Sequence, residues 1–524
     1  MRAGVVGVIA VSLVGLLSCS QEQTAETNTP AGPEPSSPSA TGNVFSRLFP
    51  ALPPFASPTD DTREQLNQLG VKGGLLDAHD DKPNEINPDN PNMTAGFTFF
   101  GQFVAHDLAR TQEEPLLQPA DPRRTTNLRT AKLDLDHLYG DGPDRSPDLY
   151  KTTSGDIKFR VDVIPGSEQV SRKGAVRFDL PRGPNQKAII ADSRNDENLI
   201  ISQFHLAMLR FHNAVVDRVG SDPAFATRSS RERFNEARRL VTWHYQWIIL
   251  HQFLPLTIGQ ARVDDLLQNG PRFYRLDDRT QDALFRNTNG DPLIPIEFAV
   301  AAFRFGHSQV RPSYRANFGP DGGPSVALSI FNPSVDPTDP DPNDLRGGKR
   351  APRRFVDWQT FFRFENRNLL RNKRIDTKLS SRLMQLPGPP VPDLPSEGIQ
   401  SLASINLIRQ VNFGIPSGQA IARAMGVQVL TADQLAELTP FGMQRNTPLW
   451  YYILKEAEVL ENGVRLGPVG SRIVGEVFIA LLQADQESFL VVERNFKPTL
   501  PSATSGDFEI TDLLNFAGVV HPLD

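Results

Sequence analysis

Long segments of the chain carry apolar residues at helical spacing. Asn198–Val219 repeats apolar side chains every three or four positions and is long enough for about six helical turns. Ser230–Gly259 and Ser471–Gln486 show the same period. Alternation with period two is rare and indicates short hairpins only around residues 156–164. The pattern predicts a mainly α protein, with one large helical domain over residues 61–524, long loops and little β structure.

The N-terminus follows a different pattern. The apolar run Val5–Leu17 is too short to span a bilayer comfortably and is typical of an export signal. Cys19, the only cysteine, follows Leu-Leu-Ser, an arrangement that resembles the bacterial lipobox. Residues 1–19 are therefore interpreted as a lipoprotein-type signal with Cys19 as the lipidated residue; an ordinary secretory signal is the alternative. We expect an exported protein, either a membrane-anchored lipoprotein of the bacterial cell envelope or a secreted one.

Residues 20–60 are rich in Pro, Ser and Thr. Such a segment has too little apolar surface to offset the entropy of ordering it. It is predicted to be a flexible tether between the lipid anchor and the domain.

Composition narrows the range of partners. Hydrophobic residues make up 39% and charged residues 22% of the 524 positions, which suits a soluble domain with a substantial core. The formal net charge is −6, and no basic run could follow a phosphate backbone. We therefore expect no nucleic-acid partner.

Two pairs of histidines, His205/His212 and His244/His251, recur seven positions apart on apolar helices. They could be ligands of a di-metal site in a helical bundle, but the accompanying Glu-x-x-His pairs are missing. The favoured interpretation is core histidines that bond to the backbone or to each other. His79, His137 and His521 lie in polar or terminal contexts and are expected near the surface.

The remaining histidines, His106 and His307, lie in segments that mix apolar and polar positions. Gln102 and His106 are four residues apart and share a helix face, whereas Asp107 must point elsewhere. His307 follows Arg304 by about one turn in an apolar run. A single imidazole on a helix can ligate haem iron, and a nearby guanidinium suits a propionate. A hydrogen-bonded core histidine is the alternative for His307.

Six segments together resemble motifs of the animal-type haem peroxidase family, in the same order and with similar spacing, from about Phe97 to Leu490. "FGQFVAHDLART" resembles the distal motif, "RTAKLDLDHLYG" the calcium loop and "ADSRNDEN" the catalytic arginine segment. "AFRFGHS" resembles the proximal histidine motif, "SINLIRQVNFGIPS" the segment supplying its asparagine, and "LGPVGSRIVGEVF" the closing helix. The resemblance implies a single helical haem-peroxidase domain.

The resemblance also implies roles for individual residues around a haem b. His307 would be the axial ligand, and the Asn406 side-chain oxygen would accept the other ring N–H. His106, with Gln102 beside it, would be the acid–base catalyst towards hydrogen peroxide, and Arg194 would stabilise the negative charge as the O–O bond breaks. The remaining haem contacts implied by the family positions are Arg304 and Arg409 at the propionates and Glu197 at an ester link.

A calcium site is implied beside the distal histidine. Its ligands would be Asp107, Thr130, the Lys132 carbonyl, Asp134 and Asp136. In an extended segment the even-numbered positions 130–136 would share one side, which suits a cage of oxygen ligands.

Several positions depart from the family pattern. Ala105 replaces an Asp that forms one haem ester, so at most the Glu197 ester can form by that route. Asn198 stands where some members carry a sulfonium-forming Met, and Phe100 replaces the usual Trp.

Two alternatives to peroxidase activity remain open. Fatty-acid dioxygenases share the fold, but they place a radical-forming Tyr where this chain has Arg304. A catalytically silent binding or adhesion lipoprotein would not need His106, Arg194 and His307. The expected partners are thus hydrogen peroxide, an unidentified electron donor and a membrane reached through the lipid anchor.

Overall fold

The computed structural model describes residues 43–81, 87–111, 116–319, 327–364, 369–387 and 398–521. Over these ranges the protein is mainly helical, as predicted. The α-helices are α1 (Asp60–Gly70), α2 (Gly96–Leu108), α3 (Asp136–Tyr139), α4 (Ser167–Val170), α5 (Leu199–Gly220), α6 (Ser230–Ile248), α7 (Leu254–Ile258), α8 (Gln260–Asn269), α9 (Asp282–Phe285), α10 (Ile296–Val300), α11 (Leu402–Asn412), α12 (Gly418–Met425), α13 (Leu449–Glu461), α14 (Pro468–Ala484), α15 (Phe489–Val492) and α16 (Ile510–Phe516).

Strands are short and pair only in twos within the described residues. Their bounds are β1 (Asp89–Thr94), β2 (Tyr150–Thr153), β3 (Asp156–Phe159), β4 (Asp162–Val163), β5 (Phe178–Asp179), β6 (Ser313–Tyr314), β7 (Leu328–Ser329) and β8 (Arg371–Lys373). The antiparallel pairs are β1–β8, β2–β3, β4–β5 and β6–β7. The hairpin predicted around residues 156–164 is confirmed by β2–β3, which turns at Thr153 and Asp156.

The three helices predicted from periodicity are confirmed as α5, α6 and α14. Asn198 caps α5 by accepting from the backbone N–H groups of Ile200 and Ile201. Ser229 and Glu232 form a capping box at the start of α6. A π turn over Ile249–Phe253 then joins α6 to α7.

The helix that carries Gln102 and His106 is held from several sides. α2 packs against α5 and against the 3₁₀ helix Ala302–Gln309, which carries His307. Gly96 begins α2 where a Cβ would overlap the ring of Phe362, so only glycine permits this approach. α11, which carries Asn406 and Arg409, packs against α1 and α13.

The predicted boundary between tether and domain at residue 60 is wrong. Phe45, Leu48, Phe49 and Phe55 are buried in the core. The backbone N–H groups of Leu48 and Phe49 donate to the carboxylate of buried Glu297 at 3.0 and 3.2 Å. Apolar side chains at these four positions bury the segment despite its Pro-rich composition, so the domain includes the residues from 43 onward.

Burial differs from the prediction for two histidines. His205, His212 and His244 are buried as expected, although the first two bond to side chains rather than to backbone. His251 is instead exposed and stacks on Trp247 with ring centroids 3.8 Å apart. His137, expected near the surface, is completely buried, and its Nδ1 lies 2.9 Å from Oδ1 of the buried Asp107 carboxylate.

The signal, Cys19 and the tether up to residue 42 lie outside the described residues. Over the part that is described, none of the helices combines the length and apolarity needed to cross a membrane.

Candidate active site

A cavity of about 290 Å³ lies between α2 and the 3₁₀ helix Ala302–Gln309. His106 and Gln102 line it from α2, and His307 and Arg304 line it from the 3₁₀ helix. Most of its other walls are apolar, with the side chains of Phe253, Phe298, Phe303, Phe331, Leu383 and Ile405. The two histidines that the sequence singled out therefore border the same cavity.

His106 is buried and held by an amide. Its Nδ1 lies 2.8 Å from Oδ1 of Asn195, so the ring donates through Nδ1 and leaves Nε2 as its unprotonated nitrogen. Burial and the nearby charge of Arg194 hold the pKa of His106 well below its ordinary value. The ring is therefore a neutral base at physiological pH.

Gln102 lies beside His106, as the helical spacing predicted. Its side-chain nitrogen donates to Oε1 of Glu197, and its oxygen accepts from Asn198 at 3.4 Å. Both partners line the same cavity. Glu197 thus lines the cavity, and Ala105, also in the wall, has no carboxylate.

Arg194 lines the cavity, and protein groups hold its guanidinium in place. Its guanidinium donates to the carbonyls of Ala109 and His106 at 2.9 and 3.0 Å and pairs with Asp192 at 2.8 Å. Burial alone would raise the pKa of Asp192, but the charges of Arg194 and Arg129 outweigh it and hold that pKa well below its usual range.

Asp192 is shared by several guanidinium groups. Arg129 lies 3.3 Å and Arg110 lies 3.7 Å from its carboxylate, in addition to Arg194. Arg129 also lies 3.4 Å from the carboxylate of Asp136, so three guanidinium groups face two carboxylates and leave a net positive charge beside this wall of the cavity. Arg194 can therefore face a developing anion although it is ion-paired.

On the opposite wall, His307 also contacts an asparagine. Its Nδ1 lies 2.7 Å from Nδ2 of Asn406, whose Oδ1 accepts from Arg304 at 3.3 Å. Asn406 was correctly expected to contact His307, but the expected oxygen is replaced by the amide nitrogen because Arg304 engages the oxygen. Burial, followed by the charge of Arg304, lowers the pKa of His307 to about 3.

Arg304 and Arg409 both line the cavity, as expected of groups that bind propionates. Burial and the positive charges of Arg409 and Arg194 lower the pKa of Arg304 to about 9. No carboxylate within the described ranges raises the pKa of Arg304. Enclosed guanidinium groups that repel one another suit an anionic ligand. With an imidazole on each side and apolar walls between, the residues present fit a haem.

The residues assigned to calcium gather next to the distal helix. Ligand atoms of Asp107, Asp136 and His137 lie within 4.8 Å of one another. Thr130 donates through its hydroxyl to Asp134 at 2.9 Å and through its backbone to Asp136 at 3.0 Å. The side-chain ammonium of Lys132 pairs with Asp485 at 3.4 Å. The group of Lys132 that would bind a cation is therefore its backbone carbonyl.

The clustering was correctly predicted, but the extended geometry was wrong. Leu135 adopts a left-handed backbone conformation, and Asp136 begins α3, so the loop turns back on itself. Burial raises the pKa of Asp107 well above its usual value, and the charge of Asp134 raises it further. Burial also raises the pKa of Asp136, although the charge of Arg129 acts against it. Oδ1 of Asp136 lies 3.4 Å from the Arg129 guanidinium and has no hydrogen-bond partner. Buried carboxylates under this repulsion fit a divalent cation.

Three functional neighbours were missed by the sequence analysis: Asn195, Asp192 and His137. Asn195 and Asp192 flank Arg194, and a search for hydrogen-bonding partners around that residue could have suggested them. His137 contacts Asp107 at 2.9 Å from within the segment matched to the calcium loop. Its polar neighbours made it resemble a surface residue.

Comparison with known proteins identifies the fold. The family model described as animal haem peroxidase matches residues 114–486. This chain belongs to the animal haem peroxidase family. The match includes Arg194, His307 and Asn406 and begins after His106.

Individual relatives of this family member are distant. It is 23% identical to chorion peroxidase of Aedes aegypti over 82% of this chain and 50% of that protein. It is 26% identical to thyroid peroxidase of Canis lupus familiaris over 71% of this chain and 38% of that protein. The chain thus spans half or less of the length of these curated relatives.

Solved structures show the same fold. Peroxidase A from Dictyostelium discoideum superposes with a TM-score of 0.59 at 18% identity, over 92% of this chain and 95% of the other. Fatty acid α-dioxygenase from Oryza sativa superposes with a TM-score of 0.57 at 14% identity, over 85% and 76%. At these identities the likeness shows the fold alone.

Proposed function

We propose that this family member is a haem peroxidase that reduces hydrogen peroxide and oxidises a small organic or inorganic donor. The observation that carries the proposal is the pair of neutral imidazoles, His106 and His307, in the wall of one cavity. When bound, haem b supplies the iron at which peroxide is reduced and the electrons of the donor are collected. Arg304 and Arg409 would hold its propionates, and His307 would ligate its iron.

The proton chemistry falls to His106. Its Nε2 accepts the proton from one oxygen of hydrogen peroxide and returns it to the other oxygen as that oxygen departs. Because its pKa is held well below the usual value, Nε2 is free to accept at neutral pH. Arg194 stabilises the negative charge that develops before the proton arrives. Gln102, tied to Glu197, fixes the wall beside the reacting oxygens.

The acidic cluster beside α2 is proposed to bind calcium. Asp107, Thr130, the Lys132 carbonyl, Asp134 and Asp136 would be its ligands, as the family pattern implies. A divalent cation would offset the repulsion among the buried carboxylates and would fix Asp107 immediately after the catalytic histidine. His137 would then act as a neighbour that orients Asp107 rather than as a ligand.

Export and anchoring are also proposals. The signal-like residues 1–19 and Cys19 support a lipoprotein of the bacterial cell envelope, with a secreted protein as the alternative. Growth with labelled palmitate tests this directly. Label in the wild type and none in Cys19→Ser would support the anchor, whereas label in neither would contradict it.

A second candidate activity is fatty-acid dioxygenation, which the structural likeness to the α-dioxygenase favours. Arg304 replaces the tyrosine on which that chemistry depends, and its enclosed charge would stand where a radical should form. One experiment separates the two activities. Purified haem-loaded protein should show a Soret band and should oxidise a phenolic donor with peroxide, without consuming oxygen in the presence of linoleate. Oxygenated linoleate would contradict the peroxidase assignment, and the absence of a Soret band would contradict both.

A further inference from the structure

A chain of buried hydrogen bonds continues behind His106. Nδ1 of His106 contacts Oδ1 of Asn195 at 2.8 Å, and Nδ2 of Asn195 contacts Nδ1 of His205 at 3.0 Å. Asn195 and His205 are completely buried, and His106 is 8% exposed. Three elements meet in this chain: α2, the 3₁₀ helix Ser193–Asp196 and α5.

The orientation of the Asn195 amide decides which nitrogen of His106 is the base. A neutral imidazole carries one hydrogen, and an oxygen at Nδ1 holds that hydrogen there and leaves a lone pair on Nε2. If the amide were turned by half a revolution, its N–H would face Nδ1 and would move the hydrogen to Nε2. That tautomer cannot accept a proton from peroxide.

His205 is placed to prevent this turn. Its Nδ1 lies 3.0 Å from the amide nitrogen of Asn195. With its own hydrogen on Nε2, His205 accepts from this amide and stabilises the orientation in which the oxygen faces His106. Burial, followed by repulsion from His137, lowers the pKa of His205 to about 3, so the ring stays neutral and can accept.

We infer that Asn195 is a positioning residue that fixes the catalytic tautomer of His106, and that His205 fixes Asn195. This inference rests on the function proposed above. It predicts that the rate of the peroxide reaction, and not the binding of haem or donor, depends on two residues behind the catalytic one.

The chain offers a matched control for His205. His212 lies seven residues later on α5, is equally buried, and bonds through Nδ1 to the hydroxyl of Tyr139 at 3.0 Å. Both rings leave Nε2 without a partner. Only His205 connects to His106, so loss of packing can be separated from loss of positioning.

The experiment measures the second-order rate constant of haem-loaded protein with hydrogen peroxide, the Soret band and the KM for a phenolic donor. For Asn195→Leu we expect a rate constant lower by about 10- to 100-fold, with the Soret band and donor KM unchanged. For His205→Leu we expect a loss of about 3- to 10-fold, because the amide is then free to turn. His212→Leu should react like the wild type.

Asn195→Asp is the rescue variant and covers the case in which Asn195→Leu fails to fold. Its carboxylate still accepts from Nδ1–H, so the rate at high pH should lie within a few-fold of the wild type. The other charged or titratable groups acting on His106 are Arg194, Asp192 and His137, and all are present in every variant.

The outcomes are distinguishable. Wild-type rates in Asn195→Leu, or equal slowing in His205→Leu and His212→Leu, would overturn the inference and leave the peroxidase assignment intact. Absence of a peroxide reaction in the wild type would overturn the proposed function and the inference together. The graded loss with rescue by aspartate would support both.

Discussion

Each of two facing walls of the cavity holds a histidine against an asparagine, but the two asparagines present different amide atoms to the imidazole. On the distal wall, Asn195 offers its oxygen to Nδ1 of His106; on the proximal wall, Asn406 offers its nitrogen to Nδ1 of His307. The first arrangement leaves Nε2 of His106 ready to act as a base. The second places the hydrogen of His307 on Nε2, where iron ligation requires a lone pair.

Arg304 explains the difference. It occupies the oxygen of Asn406, and this contact turns the amide nitrogen towards His307. If Arg304 moves to a propionate, the Asn406 oxygen is released and can accept from Nδ1 after the amide turns. The orientation of His106 is therefore set by protein groups alone. The orientation of His307 depends also on the anion that Arg304 binds.

The largest expected effect is at the proximal wall. His307→Ala removes the only imidazole assigned to iron, so we expect loss of the Soret band and of activity by at least about 1,000-fold. Absorbance of the purified variant checks this, with the exposed His251→Ala as control. A normal Soret band in His307→Ala would break the assignment of the two walls.

At the distal wall, His106→Ala should keep haem and lose its reaction with peroxide by about 100- to 10,000-fold, since only the proton transfer is removed. Stopped-flow absorbance measures the rate constant. Rates equal to those of the wild type would show that His106 is not the base.

The distal wall alone adjoins the acidic cluster, through Asp107. Calcium at about 100 times its Kd should raise the unfolding free energy by about 2.7 kcal/mol, and chelation should remove that gain. Asp136→Asn should lose the response, while Asp148→Asn, an exposed neighbour, should keep it. Thermal unfolding with calcium and with chelator measures the difference. Indifference of the wild type to calcium would contradict the site.

Arg304→Leu sharpens the proximal half of the comparison. It removes a charge-assisted bond to a propionate, so we expect haem affinity to fall by about 10-fold or more. Haem titration followed by absorbance checks this, with Arg145→Leu at the surface as control. Unchanged affinity would mean that Arg304 serves only Asn406.

The smallest effect concerns acid stability. The folded-state pKa of His205 and His212 is about 3, below the ordinary value of 6.5, because both rings are buried. Between pH 6.5 and about pH 3, these histidines bind protons in the unfolded chain but not in the folded chain. The free energy of unfolding therefore falls as the pH falls. Each ring contributes up to about 1.4 kcal/mol per pH unit. Denaturant unfolding of His212→Gln should show a slope shallower by that amount, and an unchanged slope would contradict its neutral state.

Much of the fold could be predicted from periodicity. α5, α6 and α14 have long apolar faces, and the helical period of these faces is visible in the sequence. The packed segment before α1 was missed because four separated apolar residues, among them Phe45 and Phe55, have no period. Composition averaged over such a segment hides the few side chains that anchor it.

The candidate site was predicted as a set of residues more fully than as a set of contacts. His106, Arg194, His307 and Asn406 meet as the family motifs implied. Asn195 lies in a 3₁₀ turn without a periodic signal, and the amide orientation of Asn406 depends on where Arg304 finds an acceptor. Such choices are set by three-dimensional neighbours and could not be read from spacing.

The central claim is that His106 and His307 face opposite sides of one haem. A crystal structure of the haem-loaded protein tests it most directly. We expect Nε2 of His307 bonded to iron, with Asn406 turned so that its oxygen faces Nδ1, and His106 unbonded on the opposite face. A porphyrin bound elsewhere, or ligated by His106, would contradict the claim.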